Sequence, residues 1–196
     1  MSKIIPAANT SRKEMIRKTA TKLFRLKGYH ATSMRHLAED VGVEAASLYN
    51  HIENKAALLN EICFEVADAF NNQMNIAEQV TISQAAKVES IIRFHIKMMM
   101  ERFEEMYVSM RDWKHLKEPW LSDYLQQRRL YEKRFVNIIE SGIQNNEFRN
   151  VNAAIAVLTI LSAVRSVEFW QRNNRNIEAA DMENDLVGLL TGGLKK

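Results

Sequence analysis

A group of polar side chains between residues 32 and 55 could bind a polyanion such as nucleic acid. Thr32, at the predicted start of a helix, can offer its hydroxyl and its backbone N–H to a phosphate. Tyr49, His51 and Lys55 carry polar tips that suit phosphates flanking a groove, and such contacts position a protein without reading sequence. Base readout would fall to a separate set of residues: Arg35, Ala45, Ala46, Ser47 and Asn50.

Few of these candidate base readers are polar. Arg35 can donate two hydrogen bonds to a guanine and Asn50 can pair with an adenine, whereas Ala45 and Ala46 offer only methyl groups to thymine. We therefore expect part of any sequence specificity to come from DNA shape. The alternative is that Tyr49, like the other candidate phosphate contacts, is an ordinary packing or solvated side chain.

Charge is distributed unevenly along the 196 residues. Residues 1–55 carry ten basic and five acidic side chains, a net charge of +5, whereas residues 56–196 sum to −2. A basic segment on a near-neutral body is typical of a protein that binds a polyanion. A solvated, lysine-rich helix face would give the same count.

The elements that would position these residues are three helices. Ser11 and Glu14 have the spacing of a capping box, and Gly28 ends the first helix. A second helix begins at Thr32 or Ser33, and a tight turn at Gly42 leads to a third over 44–51. Two short helices joined by a glycine turn predict a helix-turn-helix unit; a three-helix corner with no DNA role is the alternative.

The rest of the chain also reads as helix. Six glycines and two prolines are too few for a turn-dense β fold, so we predict an all-α protein of about nine helices. The division we predict is a DNA-binding helix-turn-helix domain over residues 1–55 and a ligand-binding and dimerisation domain over residues 56–196. The later helices are predicted at 54–75, 88–99, 103–113, 118–146, 153–172 and 181–194.

The predicted eighth helix, 153–172, is apolar on nearly every side. Such a helix must be covered on every side, and a chain of this length has few elements left to do so. We expect a homodimer in which this helix and the ninth pack against their two-fold mates. An internal core helix is the alternative. The predicted interface residues are Leu158, Leu161, Leu186 and Leu190.

Methionine and aromatic side chains in the second part of the chain could line a ligand cavity. Ten methionines provide adaptable walls, and large rings can enclose an apolar ligand. A plain core is the alternative, above all for His95. Arg165 needs a partner, which could be Glu168, the dimer mate or an anionic ligand. The predicted ligand-binding residues are His95, Met99, Phe103, Trp113, Tyr124, Arg128 and Arg165.

Several functional classes lack the residues that they would need. No phosphate-binding loop, GxSxG, HExxH or histidine cluster is present, so we expect no enzyme activity, no cofactor and no metal. The lone Cys63 excludes an internal disulfide and is expected in the core. The N-terminus does not read as a secretory signal, and the apolar run 151–164 is short for a membrane span, so we expect a cytoplasmic protein.

Residues 31–59 resemble the DNA-binding signature of the tetracycline-repressor (TetR) family. That pattern has a Thr at the second helix, an Ile/Leu-Ala pair, a Gly-Val turn, Leu-Tyr-x-His/Tyr-Phe and a Lys followed by Leu. The matching positions are Thr32, Leu37, Ala38, Gly42, Val43, Leu48, Tyr49, His51, Lys55 and Leu58. The resemblance implies a dimeric, ligand-responsive transcriptional repressor that binds double-stranded operator DNA.

The sequence departs from the family pattern at three positions. Ile52 replaces the usual Phe, which changes core packing. Glu44 replaces the usual Ser or Thr before the third helix, and Glu53 replaces a frequent Lys or Pro. Both acids put negative charge where phosphates would approach.

The second part of the chain resembles TetR-family members that sense acyl-CoA thioesters. The resemblance is carried by Trp113–Leu116, Tyr124, Arg129–Glu132, Ile138–Gly142 and Glu147–Phe148. It implies an apolar effector, with an acyl-CoA ester as the candidate. The alternative function is an all-helical small-molecule-binding protein whose helix-turn-helix does not bind DNA.

Overall fold

The chain is a series of helices joined by short turns. The computed structural model describes residues 11–172 and 178–196, and within them ten α-helices and one 3-10 helix. The helices are α1 (Arg12–Lys27), α2 (Met34–Val41), α3 (Ala45–Tyr49), α4 (Lys55–Gln79), α5 (Gln84–Glu101), α6 (Phe103–Arg111), the 3-10 helix (Trp113–His115), α7 (Trp120–Gln144), α8 (Ala153–Arg165), α9 (Val167–Arg172) and α10 (Ala179–Gly192). The predicted all-α fold is confirmed.

Capping side chains begin the first helices where the sequence predicts them. The Ser11 hydroxyl accepts a hydrogen bond from the Glu14 N–H at 3.2 Å, and the Ser33 hydroxyl accepts one from the His36 N–H at 3.1 Å. The Asn54 side chain caps α4 in the same way. At the end of α1, Gly28 has a φ of +85°, a value that favours glycine.

The predicted eighth helix is wrong in its length. It ends at Arg165, and α9 begins at Val167 as a separate helix. At the break, the Ser166 hydroxyl and backbone N–H donate to the Ala163 carbonyl at 2.6 and 2.9 Å. A serine that bonds a carbonyl of the preceding turn competes with the helical ladder, and the apolar pattern of the sequence gives no sign of this.

By length and composition alone, Ala153–Trp170 would pass for a membrane span, although the sequence argument judged the apolar run too short. The stretch is not one helix, because it breaks at Ser166, and it includes Arg165 and Glu168. Core helices of globular proteins pass the same test.

The described residues form two compact units. The first contains residues 11–66 and 104–124, and the second contains residues 67–103, 125–172 and 178–196. The predicted division after residue 55 concerns function and stays a prediction.

In the first unit α1 packs on α2 and α2 on α3. The fully buried residues of this unit include Ile16, Phe24, Leu37, Leu48, Leu58, Leu59, Ile62 and Cys63, which lies in the core as predicted.

One buried cation ties three helices of the first unit together. Arg17 on α1 pairs with Glu14 at 2.7 Å, with Glu65 on α4 at 2.8 Å and with Glu105 on α6 at 3.9 Å. The Arg17 hydrogen bond lowers the pKa of Glu14, and the same bond raises the pKa of Arg17. A buried guanidinium has to be matched by anions, so this cluster fixes α4 and α6 against α1.

In the second unit α5 packs against α8, α9 and α10. The segment after α7 folds back closely on Gly142 of that helix, where the buried ring of Phe148 occupies the space that a side chain would need. The residues buried around α5 and α7 include Ile91, Ile92, Ile96, Phe135, Ile139, Val157, Ile160 and Val164.

Candidate nucleic-acid interface and ligand-binding region

The helices α2 and α3 are joined by a sharp turn at Gly42. This glycine has a φ of +79°, and its N–H donates to the Ala38 carbonyl at 2.9 Å. The Val43 N–H donates to the same carbonyl at 3.0 Å, which satisfies the end of α2. Leu37 and Leu48 are buried and fix the two helices on the core. The opposite face of α3 is therefore directed outward.

The outward face of α3 carries most of the predicted base readers. Ala45, Ala46 and Asn50 are exposed, Ser47 is half-buried and the Tyr49 side chain is 55% exposed. His51 is exposed just after the helix. These side chains are accessible to a partner as large as double-stranded DNA. Their individual roles stay predictions.

Arg35 on α2 is exposed and already has a partner. Its Nε donates to the Glu39 carboxylate at 3.0 Å, one helical turn away. An exposed ion pair of this kind contributes little free energy, so a guanine could replace the carboxylate.

Thr32 lies deeper than the sequence suggests. Its side chain is 2% exposed, its hydroxyl donates to the Gly28 carbonyl at 3.0 Å and its N–H donates to the Tyr29 carbonyl at 3.4 Å. Both groups that we assigned to a phosphate are thus engaged within the loop. Ser33 is exposed instead and caps α2 as an acceptor, so its hydroxyl proton remains available to a phosphate. The preference for serine at an N-cap was the signal that could have identified it.

Lys55, at the start of α4, holds the loop between α1 and α2. Its ammonium donates to the carbonyls of Tyr29 at 2.9 Å, Thr32 at 2.8 Å and His30 at 3.5 Å. It also lies 4.4 Å from the centre of the Tyr29 ring. Burial lowers the pKa of Lys55. Three backbone carbonyls surround the ammonium, so the lysine shapes the loop that leads into α2.

The predicted ligand-binding residues fall into both compact units. Trp113 and Tyr124 belong to the first. Tyr124 is buried, with its hydroxyl 2.8 Å from the Ser109 hydroxyl and its ring edge-on to Phe64. His95, Met99, Phe103, Arg128 and Arg165 belong to the second unit. The ligand role of all seven residues stays a prediction.

His95 is the centre of a buried polar cluster in the second unit. Its Nε2 lies 2.8 Å from the Tyr131 hydroxyl, and the Phe70 ring stacks on it with centres 4.3 Å apart. Burial, with the charge of Arg165 as a smaller cause, lowers the pKa of His95 to about 3. Burial also raises the pKa of Tyr131. The imidazole is therefore neutral and has a protein partner, as the core alternative requires.

Arg165 lies less deeply than the apolar pattern of its helix predicts. The residue lies at the end of α8 and is exposed, so water can solvate its charge. An anionic ligand could replace that water.

An apolar surface remains uncovered on α8 and α10. Leu158 is 65% exposed and Leu189 is 76% exposed, with Ile155 exposed beside them. A shallow groove between the two helices is lined by Ile155, Thr159, Leu189 and Leu190. Of the other predicted interface residues, Leu186 and Leu190 are half-buried and Leu161 is buried within the subunit. Exposed apolar area of this kind marks an interaction surface.

Two family models match the chain. Residues 16–62 match the model described as bacterial regulatory proteins, tetR family, and residues 81–194 match the tetracyclin repressor-like C-terminal domain. The second model alone covers more than half of the 196 residues.

The chain belongs to the TetR family. Its α2–turn–α3 unit is the helix-turn-helix of a DNA-binding transcriptional regulator, and the family is one of regulators rather than enzymes. The predicted membership of the TetR family, drawn from residues 31–59, is confirmed.

Relatives and solved structures agree with this TetR assignment over the whole chain. The HTH-type transcriptional repressor KstR2 of Mycolicibacterium smegmatis is 20% identical over 192 residues, which cover 96% of this chain and 93% of KstR2. The ketosteroid transcriptional regulator KstR2 of Mycobacterium tuberculosis has the same fold, with a TM-score of 0.88, 17% identity and coverage of 98% of this chain and 100% of that one. AibR, solved with isovaleryl coenzyme A and operator DNA, has a TM-score of 0.81, 21% identity and coverage of 92% and 98%.

Proposed function

We propose that the chain is a homodimeric, cytoplasmic TetR-family repressor that leaves its operator when an apolar effector, of the acyl-CoA class, binds its second unit. The observation that carries the proposal is the outward face of α3 beside the exposed cap of α2, within the segment that matches the TetR DNA-binding model. DNA binding follows from that geometry. Dimerisation and the effector are separate steps with separate support.

Dimerisation is supported by the uncovered surface of α8 and α10. Helix pairs that bury such a surface against a two-fold copy form a four-helix interface, in which the same patch is used by both subunits. A dimer would also place two α3 helices on two half-sites of one operator.

The effector class is supported from two sides. The second unit combines apolar side chains such as Met99, one turn after His95 on α5, with the exposed cation Arg165, whose charge acts on His95. An acyl chain needs apolar walls, and the phosphates of a CoA ester need a cation. AibR, whose fold is similar, was solved in complex with isovaleryl coenzyme A.

Operator binding is tested by fluorescence anisotropy of the protein on genomic DNA fragments with unlabelled competitor. We expect one fragment to be bound far more tightly than random sequence. Arg35→Ala should relax specificity at one base pair at a cost of about 1–3 kcal/mol. Lys22→Ala on the exposed face of α1 is the matched control, because loss of a cation without base contact should weaken all sequences alike. Absence of binding by folded protein would favour the small-molecule-binding alternative.

The effector is tested by titrating acyl-CoA esters of increasing chain length into the preformed protein–DNA complex. A coupling of about 1–3 kcal/mol would reduce operator affinity roughly 5–150-fold. Free coenzyme A and the corresponding free fatty acid are the controls, since each carries half of the proposed ligand. Release by an uncharged apolar compound alone, with no response to any thioester, would contradict the acyl-CoA assignment.

A further inference from the structure

The loop between α1 and α2 is held by an aromatic ring from the 3-10 helix that follows α6. The His115 Nδ1 lies 3.1 Å from the His30 Nε2, and the two rings meet edge to face with centres 4.2 Å apart. The His115 ring also stacks on Tyr29, with centres 5.3 Å apart and planes 11° from parallel. All three residues belong to the first compact unit.

The same loop is held from a second direction by Lys55, whose ammonium bonds the carbonyls of Tyr29 and Thr32. Ser33, the cap of α2, follows directly. The backbone between Tyr29 and Ser33 therefore sets where the exposed N-terminus of α2 lies, and His115 contacts the first two residues of that segment.

The contact between the imidazoles depends on protonation. A hydrogen bond between two ring nitrogens needs one N–H donor and one lone pair, so the pair can hold at most one extra proton. When both rings are imidazolium, no acceptor remains and two positive charges face each other at 3.1 Å. Burial, and next the charge of His30, lower the pKa of His115.

Of the charged groups around His115, Lys55 and Lys114 also lower its pKa, whereas Asp112 raises it. The titratable and charged groups around His115 are Tyr29, His30, Lys55, Arg111, Asp112 and Lys114. Asp112 is the anion of this group, and its carboxylate lies 3.9 Å from the His115 Nε2. Burial raises the pKa of Asp112.

We propose that His115 is a positioning residue for operator binding, which holds the α1–α2 loop through His30, and that protonation of the pair releases the loop and weakens operator binding. The inference rests on the DNA-binding function proposed above. Because the folded state holds the pKa of His115 below its ordinary value, the contact is intact at neutral pH and is lost only as the pH falls through that lowered pKa.

The test is operator affinity as a function of pH, between about pH 8 and pH 5, for the wild type and for His115→Gln. Glutamine retains hydrogen-bonding groups but does not titrate. At the alkaline end we expect the wild type to bind the operator about fivefold more tightly, the effect of about one hydrogen bond, because glutamine has no ring that could stack on Tyr29 and contact His30 at once. At the acidic end the two affinities should converge.

His36→Gln is the matched control, because His36 lies on α2 with its side chain exposed and outside the pair. The ratio of wild-type to His36→Gln affinity should not fall on acidification, because this exposed side chain takes no part in the contact between His30 and His115. If the wild-type to His115→Gln affinity ratio and the wild-type to His36→Gln affinity ratio fall equally as the pH is lowered, the inference is overturned.

If His115→Gln does not fold, as judged by circular dichroism, His30→Gln removes the same bond from the loop side. Where both single variants fold, the double variant should bind no more weakly than either of them, because both act through one contact. If the protein binds its operator tightly but the ratio of wild-type to His115→Gln affinity does not change with pH, the role of His115 is overturned and the proposed function stands. No operator binding at any pH would overturn both.

Discussion

Gly142 shows how one residue can decide the packing of the second unit. The ring of Phe148 lies where a side chain on Gly142 would begin, and the ring is itself fully buried. Gly142→Ala should therefore overpack the core and destabilise the protein by about 1–3 kcal/mol, which urea unfolding followed by circular dichroism would measure. Gly188→Ala on α10, where a methyl group meets open space, is the control and should be neutral or stabilising.

His95 predicts a pH dependence of stability. Because the folded protein keeps the imidazole neutral with a pKa of about 3, the unfolded chain binds an extra proton once the pH falls below 6.5. Stability should then fall by about 1.4 kcal/mol per pH unit below that point, down to the folded pKa.

The matched comparison for this prediction is His95→Gln, which can still hydrogen-bond Tyr131 but does not titrate. At neutral pH the variant should be no more stable than the wild type. On acidification the wild type loses stability that the variant keeps, so the difference in free energy of unfolding should shrink or reverse by about pH 4.5. Parallel pH profiles of unfolding would show that His95 is not the source.

At the scale of elements, the caps and glycines of the sequence predicted the first helices because those signals act locally. Ser11, Gly28, Ser33 and Asn54 begin or end helices where the pattern places them. The break at Ser166 was not predictable, because the apolar pattern continues across it. The site was predicted in its residue types but not in its contacts, since the bonds of Lys55 reach 23 to 26 residues back along the chain.

The uncovered face of α8 leads to a prediction at the same scale. Leu158→Glu should prevent dimerisation, because the carboxylate would be buried without a partner at a cost of several kcal/mol. Analytical ultracentrifugation should show a folded monomer. Leu161 would be a poor probe, since a charge there would disturb the subunit core as well.

The control for Leu158→Glu is Ile76→Glu, which places the same charge on an apolar residue of α4 that is 55% exposed. It should leave the dimer intact. A dimeric Leu158→Glu variant at micromolar concentration would contradict the predicted interface.

At the scale of the whole molecule, the charge asymmetry predicts that operator binding depends steeply on salt. Residues 1–55 carry a net charge of +5, whereas the remainder is slightly acidic. For roughly 6–10 phosphate contacts per dimer, affinity should fall by about 10³–10⁵ between 50 and 200 mM salt. Anisotropy titrations over this range would measure the slope, and a flat response from intact dimer would refute the prediction.

The burial of Cys63 gives the protein an intrinsic chemical probe. Its thiol is the single cysteine of the chain and is completely shielded from solvent in the core of the first unit. A thiol-modifying reagent can therefore react with it only after that core opens, so the labelling rate counts opening events without any engineered substitution. Labelling in the presence and absence of operator DNA would measure how much the bound nucleic acid suppresses opening of the first unit.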